Sequence, residues 1–139
     1  AYFEEQSLKG FASFFLKQSQ EEQEHGMKIF HFIFTRNQKV TLETIKKPKN
    51  KWGSIKEVIE DSLKQECKIT HLINTIVSLS QDKKDHATFQ FLQWFIEEQV
   101  EEEEQMNDIL QQLEIIGPNK SGLLMIDNLL YERTLKPDN

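Results

Sequence analysis

Two acidic segments of this chain lie inside long helical patterns and place polar side chains where an apolar stripe is expected. In the first, Phe11, Phe14, Phe15, Gln18, Glu22, His25, Ile29 and Phe32 follow one another at spacings of three and four. In the second, the same spacing joins Leu92, Phe95, Ile96, Gln99, Glu102, Met106 and Leu110. A carboxylate on a core-facing stripe is costly unless something compensates its charge. Metal ions compensate carboxylates well, so both segments are candidate metal sites.

The pair Glu22 and His25 has a spacing that suits metal binding. Residues i and i+3 lie on one face of a helix, so a carboxylate and an imidazole would project together into a bundle core. A third acid, Glu66, lies in line with aliphatic residues on another helix: Ile55, Ile59, Leu63, Ile73 and Val77. Glu66 is therefore a further candidate ligand, with a salt-bridged core acid as the structural alternative.

The elements that must position these residues are predicted to be helices. The chain contains only three prolines and five glycines. The first helix is expected from near Ser7, or earlier, to about Arg36. The second begins at the capping box Ser54-Ile55-Lys56-Glu57 and continues to about Ser80. The third helix follows a short turn over 80–85, runs to about Ile116 and stops at Gly117-Pro118. Ser121 is expected to cap a short fourth helix, which continues to about Leu135 and is ended by Pro137.

The lengths of the connections predict the topology. The short turn makes the second and third helices antiparallel, whereas the connector over 37–53 is long enough to cross a whole bundle. The fold class is therefore all-α, a four-helix bundle with one long crossover and a short C-terminal helix. Three long helices do not close such a bundle, so we expect a further helix before Ala1, largely absent from these residues.

Composition bounds the class of protein. The length of 139 residues predicts a single domain, and the net charge of -6 argues against non-specific nucleic-acid binding. The one cysteine, Cys67, excludes an intrachain disulfide and fits a reducing compartment, the cytoplasm. No apolar run approaches the roughly 20 residues of a membrane span.

The two acidic segments resemble parts of ferritins. Phe11-Ala12-Ser13-Phe14-Phe15, followed by Glu21-Glu22-Gln23-Glu24-His25-Gly26, resembles the second helix of that family. Phe91-Leu92-Gln93-Trp94-Phe95, followed by Glu98-Gln99-Val100-Glu101-Glu102, resembles its fourth helix. The resemblance covers essentially the whole chain and is closest to the non-haem ferritins of bacteria. It implies iron storage with ferroxidase activity, in which Fe(II) is oxidised by oxygen and the ferric mineral is kept in a shell of 24 chains.

The resemblance also implies roles for individual residues. Glu22 would bridge two iron ions, with His25 on the first ion and Glu66 and Glu102 on the second. Gln99 would lie beside the site and help position oxygen or a water. A third iron site would use Glu21, Glu98, Glu101 and Glu102. The family's first-helix glutamate ligand and its nearby tyrosine have no counterpart in these residues, which would leave the first iron site incomplete.

Two departures from related families refine the expectation. Bacterioferritins carry a haem-ligating methionine directly after the bridging glutamate, and Gln23 occupies that position here, so no haem is expected. Bacterioferritins and catalytic di-iron oxidases repeat the Glu-x-x-His pair on the last helix, whereas this chain has Glu98 and Glu101 without a histidine. A site with fewer imidazoles suits iron in transit better than a fixed cofactor.

Other interpretations remain open from the sequence. The chain could be a metal-free structural bundle, a di-iron oxidase acting on an organic substrate, or a truncated ferritin with impaired ferroxidase activity and altered assembly. Glu103 and Glu104 are predicted to lie on a solvated face. Cys67 is predicted to be inert although it adjoins Glu66.

Overall fold

The computed structural model describes residues 1–135. The regular secondary structure in this range consists of α-helices. The helices are α1 (Tyr2–Glu5), α2 (Lys9–Thr35), α3 (Ile55–Asp82), α4 (His86–Ile116) and α5 (Lys120–Thr134). Ala1–Lys51 and the described residues from Asn119 form one compact unit, here called unit 1, and Trp52–Pro118 form unit 2. None of the described helices has the length and hydropathy needed to cross a bilayer.

Unit 1 begins with a short helix, α1, that a turn separates from α2. The helix predicted from near Ser7 to about Arg36 corresponds to α2, which begins at Lys9 and ends at Thr35. Ser7 has a left-handed backbone with φ of 61°. The amide of Leu8 donates to the carbonyl of Phe3 at 3.0 Å, and that of Ser7 donates to Glu4 at 3.1 Å. These two hydrogen bonds form a Schellman motif, which satisfies the last carbonyls of α1 and redirects the chain.

The first turn of α2 is capped by a residue from the other end of the chain. Leu8, at the N-cap position, has no side chain that could accept from the exposed amides of the first turn. The carboxylate of Asp127 on α5 replaces such a cap, because its Oδ1 accepts from the backbone amide of Phe11 at 2.9 Å. Asp127 is buried, and its negative charge lies at the positive end of the α2 dipole.

Gly10 permits this close approach of α2 and α5. A Cβ atom added at Gly10 would lie 1.6 Å from the backbone carbonyl oxygen of Asp127. Any larger residue at this position would therefore require the backbone of α5 to move. Around this contact the apolar residues of unit 1 are buried: Phe3, Leu8, Phe11, Phe14, Ile126 and Leu130. The ring of Phe3 stacks on those of Phe11 and Phe15, with centroids 4.9 and 5.4 Å apart.

Unit 2 is a helical hairpin whose first helix starts as predicted. Ser54 caps α3, since its Oγ accepts from the amide of Glu57 at 3.1 Å. The Glu57 carboxylate reaches back to the amide of Gly53 at 2.6 Å, one residue earlier than in the usual capping box. The indole of Trp52 donates to Asp61 at 2.9 Å and fixes the end of the connector against α3.

A short turn reverses the chain between α3 and α4. Lys84 adopts a left-handed φ of 56°, and the amide of Asp85 donates to the carbonyl of Ser80 at 2.8 Å. Asp85 then caps α4 through a hydrogen bond from the amide of Thr88 at 3.2 Å. The two helices are antiparallel, as predicted. Apolar residues near the turn form their core, namely Ile73, Leu92 and Phe95, while Lys56 and Glu114 pair at 3.0 Å towards the other end.

The end of α4 agrees with the prediction, whereas the start of α5 does not. Gly117 ends α4 as predicted, with φ of 53°. The predicted cap of α5 at Ser121 is wrong, because Asn119 Oδ1 accepts from the amides of Ser121 and Gly122 at 2.9 and 3.1 Å. Asparagine at this position caps two first-turn amides, so the helix begins earlier. The role predicted for Pro137 lies outside the described residues.

Replacing the Asp127 cap should destabilise the protein. We expect Asp127→Ala to lower the free energy of unfolding by about 1–2 kcal/mol, because it removes a buried N-cap acceptor. Asn128→Ala, an exposed neighbour on α5, is the control and should have little effect. Urea unfolding followed by circular dichroism measures both. Equal stabilities of the two variants would contradict the capping role.

Candidate metal centre

The Glu22 and His25 side chains meet on α2 as their spacing predicts. Glu22 Oε1 lies 3.7 Å from His25 Nδ1. The imidazole is buried, and the Oε1 atom of Glu22 is also buried although the Glu22 side chain as a whole is 41% exposed. Among the described residues, no donor forms a hydrogen bond to this oxygen. The pair thus presents an unsatisfied carboxylate oxygen beside an imidazole nitrogen, a donor set that suits iron.

The apolar stripe around this pair is less continuous than predicted. Gln18 is buried with His25, but Ile29, one turn further on, is 40% exposed. The Glu22 side chain is therefore only partly enclosed, although its position on the stripe predicts burial. The neighbouring Glu21 is engaged by its own helix, because Gln18 Nε2 donates to it at 3.2 Å and Lys17 Nζ lies 3.5 Å away.

Unit 2 contains a second group of predicted site residues. Glu66 on α3 and Gln99 and Glu102 on α4 are all buried, as their stripe positions predict. Gln99 Nε2 lies 3.3 Å from both the Glu66 carboxylate oxygen Oε2 and the Glu66 backbone carbonyl oxygen. The amide of Gln99 therefore compensates the buried Glu66 carboxylate on the facing helix, through long hydrogen bonds to two oxygen atoms of the same residue.

Thr70 and Glu103, which were not predicted as site residues, also belong to this group. Thr70 Oγ1 lies 2.5 Å from Glu103 Oε1 and 3.3 Å from Gln99 Nε2. The prediction that Glu103 is solvated is wrong, since it is half-buried and hydrogen-bonded, whereas Glu104 is exposed as predicted. Their spacing could have predicted this, because Thr70 and Glu103 each lie four residues after a stripe residue, Glu66 and Gln99, on the same helix.

The thiol of Cys67 adjoins the same group. Cys67 is exposed, but partial desolvation raises the pKa of its thiol, and the nearby Glu103 carboxylate raises it further. A raised pKa keeps the thiol protonated at neutral pH and thus poorly nucleophilic. This agrees with the prediction that Cys67 is inert.

The remaining acids predicted to bind iron are less enclosed. Glu98 is half-buried, while Glu101 is exposed. Within residues 1–135, neither unit brings three or more His, Cys, Asp or Glu side chains into a group that could hold a metal ion. Each unit instead supplies part of the predicted site: Glu21, Glu22 and His25 in unit 1, and Glu66, Glu98, Gln99, Glu101 and Glu102 in unit 2.

Comparison with known proteins settles the family. The ferritin-like domain model matches residues 1–116. The chain belongs to the ferritin family. It is 39% identical to a bacterial non-heme ferritin of Staphylococcus epidermidis over 134 residues, which is 96% of this chain and 81% of that protein. The bacterial non-heme ferritin of Staphylococcus aureus is 37% identical over the same shares.

Solved structures agree on the fold. An open-pore ferritin from the archaeon Archaeoglobus fulgidus superposes with a TM-score of 0.92 at 38% identity, covering 98% of this chain and 82% of that one. A humanized archaeal ferritin gives 0.94 at 40% identity, over 98% and 82% of the two chains. The predicted ferritin-like helical fold is therefore confirmed, whereas the roles predicted for individual site residues stay predictions.

Proposed function

We propose that this ferritin stores iron, oxidising Fe(II) with oxygen and holding the ferric product as a mineral. The observation that carries the proposal is the Glu22–His25 pair, with a buried carboxylate oxygen and an imidazole nitrogen 3.7 Å apart on one helix face. The similarity to proteins named bacterial non-heme ferritin supports iron as the substrate. In the reaction each Fe(II) gives up one electron and oxygen accepts the electrons.

We assign the ligand roles that the family resemblance implies. Glu22 bridges two iron ions and His25 binds the first, while Glu66 and Glu102 bind the second. Carboxylates favour Fe(III) over Fe(II) because hard anionic oxygens stabilise the more highly charged ion, so they draw the oxidation forward. Gln99 orients Glu66 and helps position oxygen or a water. A single imidazole in the set suits iron that leaves again as product.

A third iron site is also proposed, as the family resemblance implies. It would use Glu21, Glu98 and Glu101 together with Glu102. Glu98 is half-buried and Glu101 is exposed, so their carboxylates remain hydrated and bind iron more weakly than enclosed acids. Weak, accessible binding suits a role in passing iron on to the mineral.

The protein is further proposed to act as a homo-oligomer, with 24 chains in the complete shell. The α5 helix supports association because several of its large apolar residues are exposed in the single chain, including Leu124 at 56%, Met125 at 65% and Leu129 at 45%.

Haem is not expected, since Gln23 lacks the thioether that bacterioferritins use to bind the haem iron.

The first prediction tests the Glu22–His25 pair directly. We expect the double variant Glu22→Gln with His25→Leu to fold but to lose rapid oxygen-dependent Fe(II) oxidation. Its apo stability should be unchanged or higher, because replacing partly buried polar groups by well-packed neutral ones is often neutral or stabilising. Stopped-flow absorbance of the ferric product measures the oxidation, and circular dichroism measures folding. Glu24→Gln, an exposed acid on the same helix, is the control. Wild-type kinetics in the double variant would place the chemistry elsewhere in the chain.

The second prediction separates the acids by role. Glu66→Ala and Glu102→Ala should impair fast oxidation, because each removes a ligand proposed for the second iron. Glu98→Ala and Glu101→Ala should retain binding of the first two ions and change only the later movement of iron to the mineral. Anaerobic Fe(II) titration, followed by oxidation over longer times, measures both stages. If all four variants lose two-iron binding equally, the partition is wrong.

The third prediction concerns assembly through α5. Light scattering of the protein should show a large homo-oligomer, and Leu124→Glu with Leu129→Glu should shift it to smaller species, because two charges would be desolvated at the contact. Gln111→Glu, an exposed substitution on α4, controls for added charge. A wild-type monomer, or an unchanged size in the double variant, would contradict the role of α5.

A further inference from the structure

We propose that Thr70 and Glu103 are positioning residues for the iron site, holding the Gln99 amide and, through it, the Glu66 carboxylate in one orientation. This inference rests on the proposed function, in which Glu66 binds the second iron. It concerns only unit 2, where all four side chains lie on α3 and α4. It adds two residues that neither touch the proposed iron nor belong to the ligand set.

The orientation of Gln99 follows from its neighbours. Its terminal nitrogen faces three oxygen atoms at 3.3 Å: the backbone carbonyl and carboxylate of Glu66, and the hydroxyl of Thr70. A carbonyl oxygen and an ionised carboxylate oxygen are acceptors only, so the reverse orientation of the amide would bring acceptor against acceptor. The NH₂ group must therefore face α3, and the amide oxygen of Gln99 faces away from these three atoms.

The single proton of the Thr70 hydroxyl gives the network its direction. Two acceptors compete for it, the Glu103 carboxylate at 2.5 Å and the Glu66 backbone carbonyl at 3.0 Å. The shorter contact is to a charged oxygen and falls in the range of strong O–H···O⁻ hydrogen bonds, so the proton is donated to Glu103. The lone pairs of Thr70 are then available to Gln99, which donates to Thr70 and to Glu66.

The network thus runs from Glu103 through Thr70 and Gln99 to Glu66. Each donor in this network faces an acceptor: the Thr70 hydroxyl faces Glu103, and the Gln99 NH₂ group faces Thr70 and Glu66. Groups that hold a metal-binding carboxylate in one orientation strengthen metal binding, because the ligand need not be ordered when the ion arrives. Without Thr70, the Gln99 amide loses one partner, and without Glu103 the Thr70 hydroxyl is no longer held in the orientation that accepts from Gln99. In either case the Glu66 carboxylate is less firmly held.

A titration with Co(II) alone, in the absence of oxygen, tests this without relying on oxidation. We expect Thr70→Val, which keeps the side-chain shape, to weaken Co(II) binding about tenfold and to alter the visible ligand-field spectrum of the bound ion. Thr70→Ser keeps the hydroxyl and should restore both. Thr75→Val is the matched control, because Thr75 is exposed on the same helix and its hydroxyl bonds the carbonyl of His71.

The Glu103 end of the network has its own matched pair. Glu103→Ala should also weaken Co(II) binding roughly tenfold, whereas Glu104→Ala removes the same charge one residue along and should leave it unchanged. Because Glu103 acts through Thr70, Glu103→Ala should not weaken Co(II) binding further when it is combined with Thr70→Val. If Thr70→Val does not fold by circular dichroism, the comparison of Glu103→Ala with Glu104→Ala decides the question alone.

The outcomes distinguish a failure of the proposed iron-binding function from a failure of the positioning role of Thr70 and Glu103. A wild-type protein that binds no Co(II) and no Fe(II) would contradict the proposed function itself. Wild-type binding that is unchanged in affinity and spectrum in Thr70→Val, or equal in Glu103→Ala and Glu104→Ala, would overturn only the positioning role. Weakening in Thr70→Val that Thr70→Ser does not restore would also overturn it, because the hydroxyl would then not be the cause.

Discussion

A carboxylate enclosed in a helical protein needs a compensating partner, and both units of this ferritin are organised by that need. In unit 2, the amide of Gln99 faces the buried Glu66 carboxylate and is itself held by Thr70. In unit 1, the buried oxygen of Glu22 accepts no hydrogen bond from the described residues and lies 3.7 Å from the imidazole nitrogen of His25. The protein thus supplies its own compensation at Glu66, whereas at Glu22 the compensating partner is the iron that we propose binds there.

The same requirement applies to the backbone at the start of α2. The amides of a first helical turn need acceptors, and the side chain of Leu8 at the N-cap cannot accept a hydrogen bond. Asp127 supplies one from α5, and Gly10 lets the two helices approach closely enough for it to reach. The short C-terminal helix is therefore part of the structural support of the helix that carries Glu22 and His25.

The local features of the fold were predictable in most places. The Ser54 cap, the start of α3, the turn before α4 and the stop at Gly117 all follow from neighbouring residues and were confirmed. The start of α5 was misplaced because Asn119 competes with Ser121 as a cap, and both residue types are good acceptors. The sequence placed the start of α2 near Ser7 but did not indicate the left-handed turn there, because serine rarely adopts the conformation that Ser7 has here.

The sequence by itself determined the helices, the stripe positions of Glu66, Gln99 and Glu102, and the pairing of Glu22 with His25. These follow from the 3.6-residue period of the helix, which relates residues only a few positions apart. Tertiary structure decided which distant groups meet. Asp127 and Phe11 are 116 residues apart, and Thr70 and Glu103 are 33 apart. No local rule connects such residues, because their contact depends on how whole helices pack and which faces that packing buries.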